Sequence, residues 1–323
     1  ACYGRGGTEP TVTDAAFVLG MLGEGKLASG IALDRELAIA ALGPVSETLG
    51  LSVDETARGV LTIAAANMAN AIREITIERG RDPRDAALMP FGGAGPLFGT
   101  LLARELEIRD IVLPPHAGNF SAWGLLGADL TQTAARTRIL RLEDDAVAEA
   151  DAVLADLFAA LAGRATTREE QAREVRLDMR YTGQEHTLTV AVECAADGRL
   201  AVGADEIRAV FTADYERTFG HVMDEQMEIV SLRATIRTPL QRRAAEHVAA
   251  GATGGGGEHR AWSFTAEDWR EFRVLDRSEI GADPVAGPAI VLEETATTYL
   301  DAGFTARLGN EGVVEITDTG RAR

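Results

Sequence analysis

Cysteine, positive charge and long apolar runs are what this sequence has least of. Only Cys2 and Cys194 occur among 323 residues. They lie far apart with no C-x-x-C pair, which argues against a disulfide framework or a cysteine-based metal site and leads us to expect a reducing, cytoplasmic setting. Lys and Arg number 32 against 50 Asp and Glu, a formal net charge of −18. Neither nucleic acid nor an anionic membrane is therefore expected as a main partner. ATP is not excluded, because a local turn and a bound cation can offset an acidic surface. No apolar run approaches the ~20 residues of a membrane-spanning helix. H-E-x-x-H is absent as well. Gln184, Glu185, His186, His221, Glu293, Glu294 and Thr297 form a conceivable acid–base or metal set, but their spacing is not diagnostic, and no protein metal centre is expected.

What is present suggests about two domains of ~100–200 residues each, placed here at 1–136 and 137–323. The organising stretch is Asp85-Ala-Ala-Leu-Met-Pro-Phe-Gly-Gly-Ala-Gly-Pro-Leu-Phe-Gly99. It reads as a buried strand over 86–91, a glycine turn, and a helix that Pro96 opens, where a missing N–H costs nothing. Phe98, Leu101, Leu102 and Leu106 recur at helical spacing, and Ile111-Val112-Leu113 reads as the next strand of a parallel crossover. Gly92, Gly93 and Gly95 suit either a tight turn needing positive φ or the close approach of a flat or anionic ligand to a helix start. The spacing Gly93-x-Gly95-x-x-x-Gly99 is not the dinucleotide fingerprint, and Pro114-Pro115 ends the next strand without a ribose-binding acid.

Around this stretch the patterning predicts a helix over 14–22 capped by Thr13, and a second over 34–49 ended by Gly50. A capping box, Ser52 with Glu55, launches a long amphipathic helix to Gly80. His116 and Ser121 fall in a dense loop, with a short helix through Ala128. Beyond it the patterning predicts helices over 145–163 and 204–219 and strands over 173–182, 187–193 and 227–238. Residues 243–260, with Gly254–Gly257, His247 and His259, read as a linker. Short strands near 271–275, 288–292, 297–300, 305–308 and 312–316 close the chain like a small barrel or sandwich.

The opening run Ala1-Cys-Tyr-Gly-Arg-Gly-Gly-Thr-Glu-Pro-Thr-Val-Thr-Asp14 and residues 86–99 together resemble the hydantoinase A/oxoprolinase family, which includes nucleotide-binding subunits of acetone and acetophenone carboxylases. Glu78-Arg79-Gly80-Arg81-Asp82-Pro83-Arg84, Ser121-Ala122-Trp123-Gly124, Tyr181-Thr182-Gly183-Gln184 and Gly287-Pro288-Ala289-Ile290 continue the resemblance. It implies an α/β actin-like ATPase (ribonuclease H-like) portion in 1–136, then an α+β C-terminal domain rich in antiparallel strands in 137–323. It also implies that the Asp-x-Gly-Gly-Thr phosphate loops, not found in this sequence, belong to a preceding half of the subunit, so that a C-terminal fragment is expected. The implied cofactors are ATP and Mg²⁺. Gly92, Gly93, Ala94 and Gly95 would hold the adenosine and α-phosphate side, with Arg73 and Glu74 near the ribose or base. Arg5, Thr8 and Gln184 would meet the substrate. The implied reaction is hydrolysis of a cyclic amide of hydantoin or 5-oxoproline type through carbonyl phosphorylation, beside a hydantoinase B-type partner subunit. A carboxylase subunit and a non-catalytic assembly half are the alternatives. No catalytic base is assigned.

Overall fold

The structure is a computed structural model that describes residues 1–23, 31–143, 145–162, 171–239 and 256–320. It divides into two compact units, one made of 1–125 with 244–323 and the other of 126–243. In chain order the first unit supplies α1 (Val12–Val18), α2 (Arg35–Leu49), α3 (Val53–Glu78), α4 (Gly95–Glu105), β1 (Asp110–Leu113) and α5 (Phe120–Leu125). The second supplies β2 (Leu130–Arg141), α6 (Ala146–Ala162), β3 (Ala172–Tyr181), β4 (Leu188–Val192), α7 (Ala204–Phe219) and β5 (Met227–Thr238). The chain then returns to the first unit with β6 (Glu258–Ser263), β7 (Asp268–Asp276), β8 (Val285–Ala286), β9 (Ala289–Leu292), β10 (Thr297–Leu300), β11 (Phe304–Leu308) and β12 (Val314–Asp318). The division differs from the expected one: residue 136 falls inside β2, and the C-terminal strands group with the first unit.

In the first unit the helix signals act locally. Ser52 and Glu55 form the capping box of α3, whose 26 residues span about 39 Å at 1.5 Å per residue. Asp34 caps α2, and Gly50 ends it in the left-handed region at φ 66. The cap of α1 is Thr11, not Thr13: Thr11 accepts from the Asp14 amide while the Asp14 carboxylate accepts from the Thr11 amide. Thr11 is the residue that leaves Asp14 at the third helical position, where a carboxylate can reach back.

The expected crossover is reduced. Of 86–91 only Leu88 pairs with β1, in a parallel bridge to Ile111. The Leu88 amide donates to the Asp110 carbonyl at 3.0 Å, and the Val112 amide donates to the Leu88 carbonyl at 2.8 Å. Pro90 has no amide to extend the ladder. The main neighbour of β1 is instead β12, antiparallel, in a sheet ordered β1-β12-β11-β8. A second sheet is ordered β10-β9-β7-β6, with β7 and β9 parallel. Helix α4 is shared between two cores. Phe98 and Leu102 pack with Leu61, Phe272 and Tyr299, whereas Ala103 joins Ile111, Phe304 and Ile316. The strand β6 begins inside the expected linker and carries His259 opposite Phe272; His247, Gly254 and Gly255 lie outside the described residues.

The second unit is a sheet ordered β2-β5-β3-β4 with every pair antiparallel. Leu177, Met179 and Tyr181 of β3 face a core shared with Leu154 of α6 and Phe211 of α7, as their alternation with Asp178 and Arg180 requires. On the opposite face Arg233 forks onto Asp178 and Arg180 meets Glu228. The strand β2 was not anticipated. Most of its residues are exposed, so it lacks the alternation that marks a half-buried strand.

Candidate functional site

The glycines of the central turn are not equivalent. Gly92 has φ +87, and its amide donates to the Ala117 carbonyl at 2.8 Å. A Cβ on Gly95 would stand 3.3 Å from the Pro90 carbonyl carbon, and one on Gly99 would stand 3.3 Å from Pro90 Cγ. Backbone conformation or packing therefore accounts for all three. Gly93 has neither constraint: its φ is not positive, and the nearest atom to an added Cβ is the Thr295 carbonyl oxygen at 3.7 Å. Ala94 then begins α4 without a side-chain cap; Pro96 has no amide and the Leu97 amide donates to the Ala94 carbonyl at 3.2 Å, which leaves the Gly95 amide as the first-turn donor facing an acceptor.

The facing wall is the turn from β9 into β10. It is held by residues distant in sequence. Gly118 presses so closely on it that a Cβ there would lie 2.3 Å from the Thr295 carbonyl oxygen. Thr100 of α4 donates to the Tyr299 carbonyl at 3.1 Å. Glu293 is paired with Arg277 at 2.7 Å, both side chains nearly buried, and Arg277 also donates to the Gly312 and Leu113 carbonyls. Between these walls lies a cavity of about 420 Å³, lined by Gly93, Ala94 and Leu97 on one side and residues 293–297 on the other, with Tyr3, Thr13 and Leu22 completing it. Its size is that of a small-molecule site.

Tyr3 reaches the cavity on the opening loop, which Asp14 secures from within. This fully buried carboxylate accepts from the Ala1 nitrogen, the Cys2 amide, and both the amide and hydroxyl of Thr11. Burial opposes its ionisation, but the hydrogen bonds from Thr11 and Cys2 outweigh it and hold the carboxyl well below the usual range. The neighbouring Cys2 thiol is pushed up to about 12 by burial and by the Asp14 charge.

Residues 1–134 match the model of the hydantoinase/oxoprolinase family. The chain belongs to that family. It is 33% identical to an uncharacterised protein of Methanocaldococcus jannaschii, over 98% of this chain and 45% of that protein. It is 31% identical to the caprolactamase alpha subunit of Pseudomonas jessenii, over 98% of this chain and 47% of that subunit. The crystal structure of the ATP-dependent caprolactamase from that organism matches at TM-score 0.72 and 29% identity, covering 98% of this chain and 48% of the other. A nucleotide-free acetone carboxylase structure matches at TM-score 0.72 and 20% identity, with the same coverage, a likeness of fold alone. The chain thus spans about half the length of the curated relatives it matches. The fold class is the expected one, an α/β portion of actin-like ATPase type with an α+β remainder rich in antiparallel strands.

The structure gathers some of the residues expected in this family member's site and separates others. Gly93 and Ala94 line the cavity, as do Glu293, Glu294 and Thr297 from the loosely spaced polar set. Arg73 sits at the far end of α4, donating to the carbonyl and carboxylate of Glu105 and to Asn70. Glu74 is exposed on α3. Arg5 and Thr8 are exposed on the loop that carries Tyr3. Gln184 belongs to the second unit, where its amide nitrogen donates to the Tyr215 hydroxyl at 2.8 Å and faces Met223 Sδ. This gives it a local structural reason. Glu185, His186 and His221 are in that unit too. His116 takes φ 54 at the start of a 3₁₀ turn. Tyr3, Gly118 and Arg277 were missed, and no local pattern marks them: each matters through a contact with residues far along the chain.

Proposed function

We propose that the glycine turn binds the adenosine and α-phosphate side of ATP, and that the subunit to which this chain belongs hydrolyses a cyclic amide at the expense of ATP. The observation that carries the reading is Gly93, a glycine that neither backbone angle nor packing requires, at the wall of a ligand-sized cavity and beside an uncapped helix start. Close approach of a ligand explains its missing side chain. The likeness to the caprolactamase subunit supports the substrate class. Ring amides resist attack by water, and phosphoryl transfer to the carbonyl oxygen makes it a leaving group, a step that depends on positioning.

This chain's own part is to hold and orient. Gly92 fixes the turn through Ala117, Gly93 admits the nucleotide, and Ala94 and Gly95 lead into α4. Arg5 and Thr8, exposed on the Tyr3 loop, are assigned to the anionic or substrate side. Among the described residues no group of three His, Cys, Asp or Glu side chains could hold a metal ion. Mg²⁺ in such a site is held mainly by phosphate oxygens and water with one or two carboxylates, so its ligands are assigned with the γ-phosphate contacts, and no step is routed through it. The γ-phosphate contacts are assigned to the remaining half of the subunit, and a hydantoinase B-type subunit is the proposed partner. Identity to the acetone carboxylase beta subunit of Xanthobacter autotrophicus, 30% over 40% of this chain, supports a carboxylase subunit as the second reading. The caprolactamase match extends over 98% of this chain and the acetone carboxylase match over 40%, which favours the hydrolase.

Calorimetric titration of ADP and ATP into the chain, beside Gly93→Val, tests the turn. A Cβ at 93 fits, so the variant folds while its methyl groups enter the cavity. Binding by the parent and none by the variant is expected. Equal binding by the two removes the turn from the site.

A further inference from the structure

The cavity at the glycine turn has a chemical polarity that says which end of a nucleotide it takes. Among the described residues no Lys, Arg or His lines it. Its carboxylates are Glu293 and Glu294. Glu293 is committed to Arg277 at 2.7 Å and its side chain is 6% exposed. Glu294 is exposed, and its carboxylate has no hydrogen-bond or ion-pair partner among the described residues. An unpaired carboxylate repels phosphate but accepts hydrogen bonds from neighbouring hydroxyls, and has acceptor capacity for two at once. The rest of the lining is uncharged: Leu22, Leu97 and Ala296 offer apolar surface, the ring of Tyr3 a flat one, and Thr13 and Thr297 hydroxyl groups.

We propose that this cavity receives the nucleoside end of the nucleotide, and that Glu294 is a specificity-determining residue that accepts hydrogen bonds from the ribose 2′- and 3′-hydroxyls. The base lies against Leu22, Leu97 and Ala296, with the phosphates directed away from Glu294 towards the uncapped start of α4. The inference rests on the assignment of ATP to the glycine turn, and adds orientation and a sugar requirement to it. Arg277 serves as a positioning residue. By holding Glu293 it leaves the adjacent Glu294 as the carboxylate presented to the ligand.

The test is calorimetric titration of adenosine and 2′,3′-dideoxyadenosine into the parent chain and into Glu294→Ala, whose exposed position spares the fold. The parent is expected to bind adenosine about tenfold more tightly than the dideoxy compound, the scale of a charge-assisted hydrogen bond. Glu294→Ala is expected to bind both with the weaker affinity. Persistence of the discrimination in Glu294→Ala overturns the proposal, as does an equal loss of both nucleosides or a parent that binds neither. ADP titrated into Gly93→Val separates the two levels. If that variant loses ADP while Glu294→Ala still discriminates, the glutamate assignment alone falls; if Gly93→Val binds ADP as the parent does, the turn itself is not the site.

Discussion

The two units of this chain are built from comparable elements but assembled differently. The second is one continuous stretch, 126–243, folded into a sheet with two helices. The first is stitched from both ends of the sequence. There β1 pairs with β12, Gly118 packs on Thr295, and Thr100 bonds to the Tyr299 carbonyl 199 positions away. The candidate site lies in the stitched unit, on the seam between the glycine turn and the β9–β10 turn. A cavity between segments that meet only in the folded state needs the whole unit to exist, so its ligand should report on the integrity of the seam.

The strongest way to break the comparison is to load the seam. Gly118→Ala places a Cβ 2.3 Å from the Thr295 carbonyl oxygen and 2.4 Å from its hydroxyl, so one backbone must move away. The expected cost is about 2–3 kcal/mol, read as a lower midpoint in urea, together with weaker ADP binding. Gly198→Ala is the matched perturbation in the second unit, where a Cβ would meet the Phe158 ring at 2.4 Å and φ is +89. It is expected to destabilise that unit by a similar amount and to leave ADP affinity unchanged. Loss of ADP binding in Gly198→Ala would show that the two units do not differ in the way their assembly suggests.

The same contrast explains what could be read beforehand. In the second unit α6, α7, β3, β4 and β5 were expected within a residue or two, because periodicity, Gly220 and alternating polarity act over short range. Only β2, without alternation, escaped. In the first unit the capping box of α3 and the Gly50 stop were equally legible. The strand over 86–91 shrank to one bridge beside β1, because Pro90 has no amide to extend the ladder, and the long partner of β1 comes from the far end of the chain. The site follows this pattern. The glycine turn was visible, but which glycine lacks a structural reason was not, since that depends on Pro90 and Thr295. Arg73 and Glu74, placed by resemblance, do not line the cavity. Glu294, by contrast, gains meaning only once Arg277 is seen to occupy Glu293.

A middling effect is expected at the anchor of the opening loop. Asp14 is held below its ordinary range, so its contribution to stability is present above the unfolded carboxyl value and is lost as pH falls through the folded one. Asp14→Asn gives up hydrogen bonds to a charged acceptor and is expected to cost about 2 kcal/mol at neutral pH. It also flattens the acid limb of the stability profile. Cys2 works in the opposite direction. Its contribution is complete below the ordinary thiol value of 9.0 and fades as pH rises towards about 12. Urea midpoints across pH check both signs, and an acid limb in Asp14→Asn as steep as in the parent would remove Asp14 from this role.

The smallest effect is expected at Arg73, and its smallness is informative. Its guanidinium bonds to Glu105, the last residue of α4. The ion pair, at 3.2 Å, joins side chains 37% and 45% exposed, so solvent screens it and its contribution is at most about 1 kcal/mol. Helix α4 has 11 residues, which puts about 16 Å between Glu105 and the glycine turn. Arg73→Ala should therefore lower the urea midpoint slightly and leave ADP affinity as it is, whereas Gly93→Val, at the other end of the same helix, leaves the midpoint and removes the ligand. A tenfold loss of ADP affinity in Arg73→Ala at unchanged stability would return Arg73 to the nucleotide. It would also mean that the pocket extends along α4 beyond the cavity between the two turns.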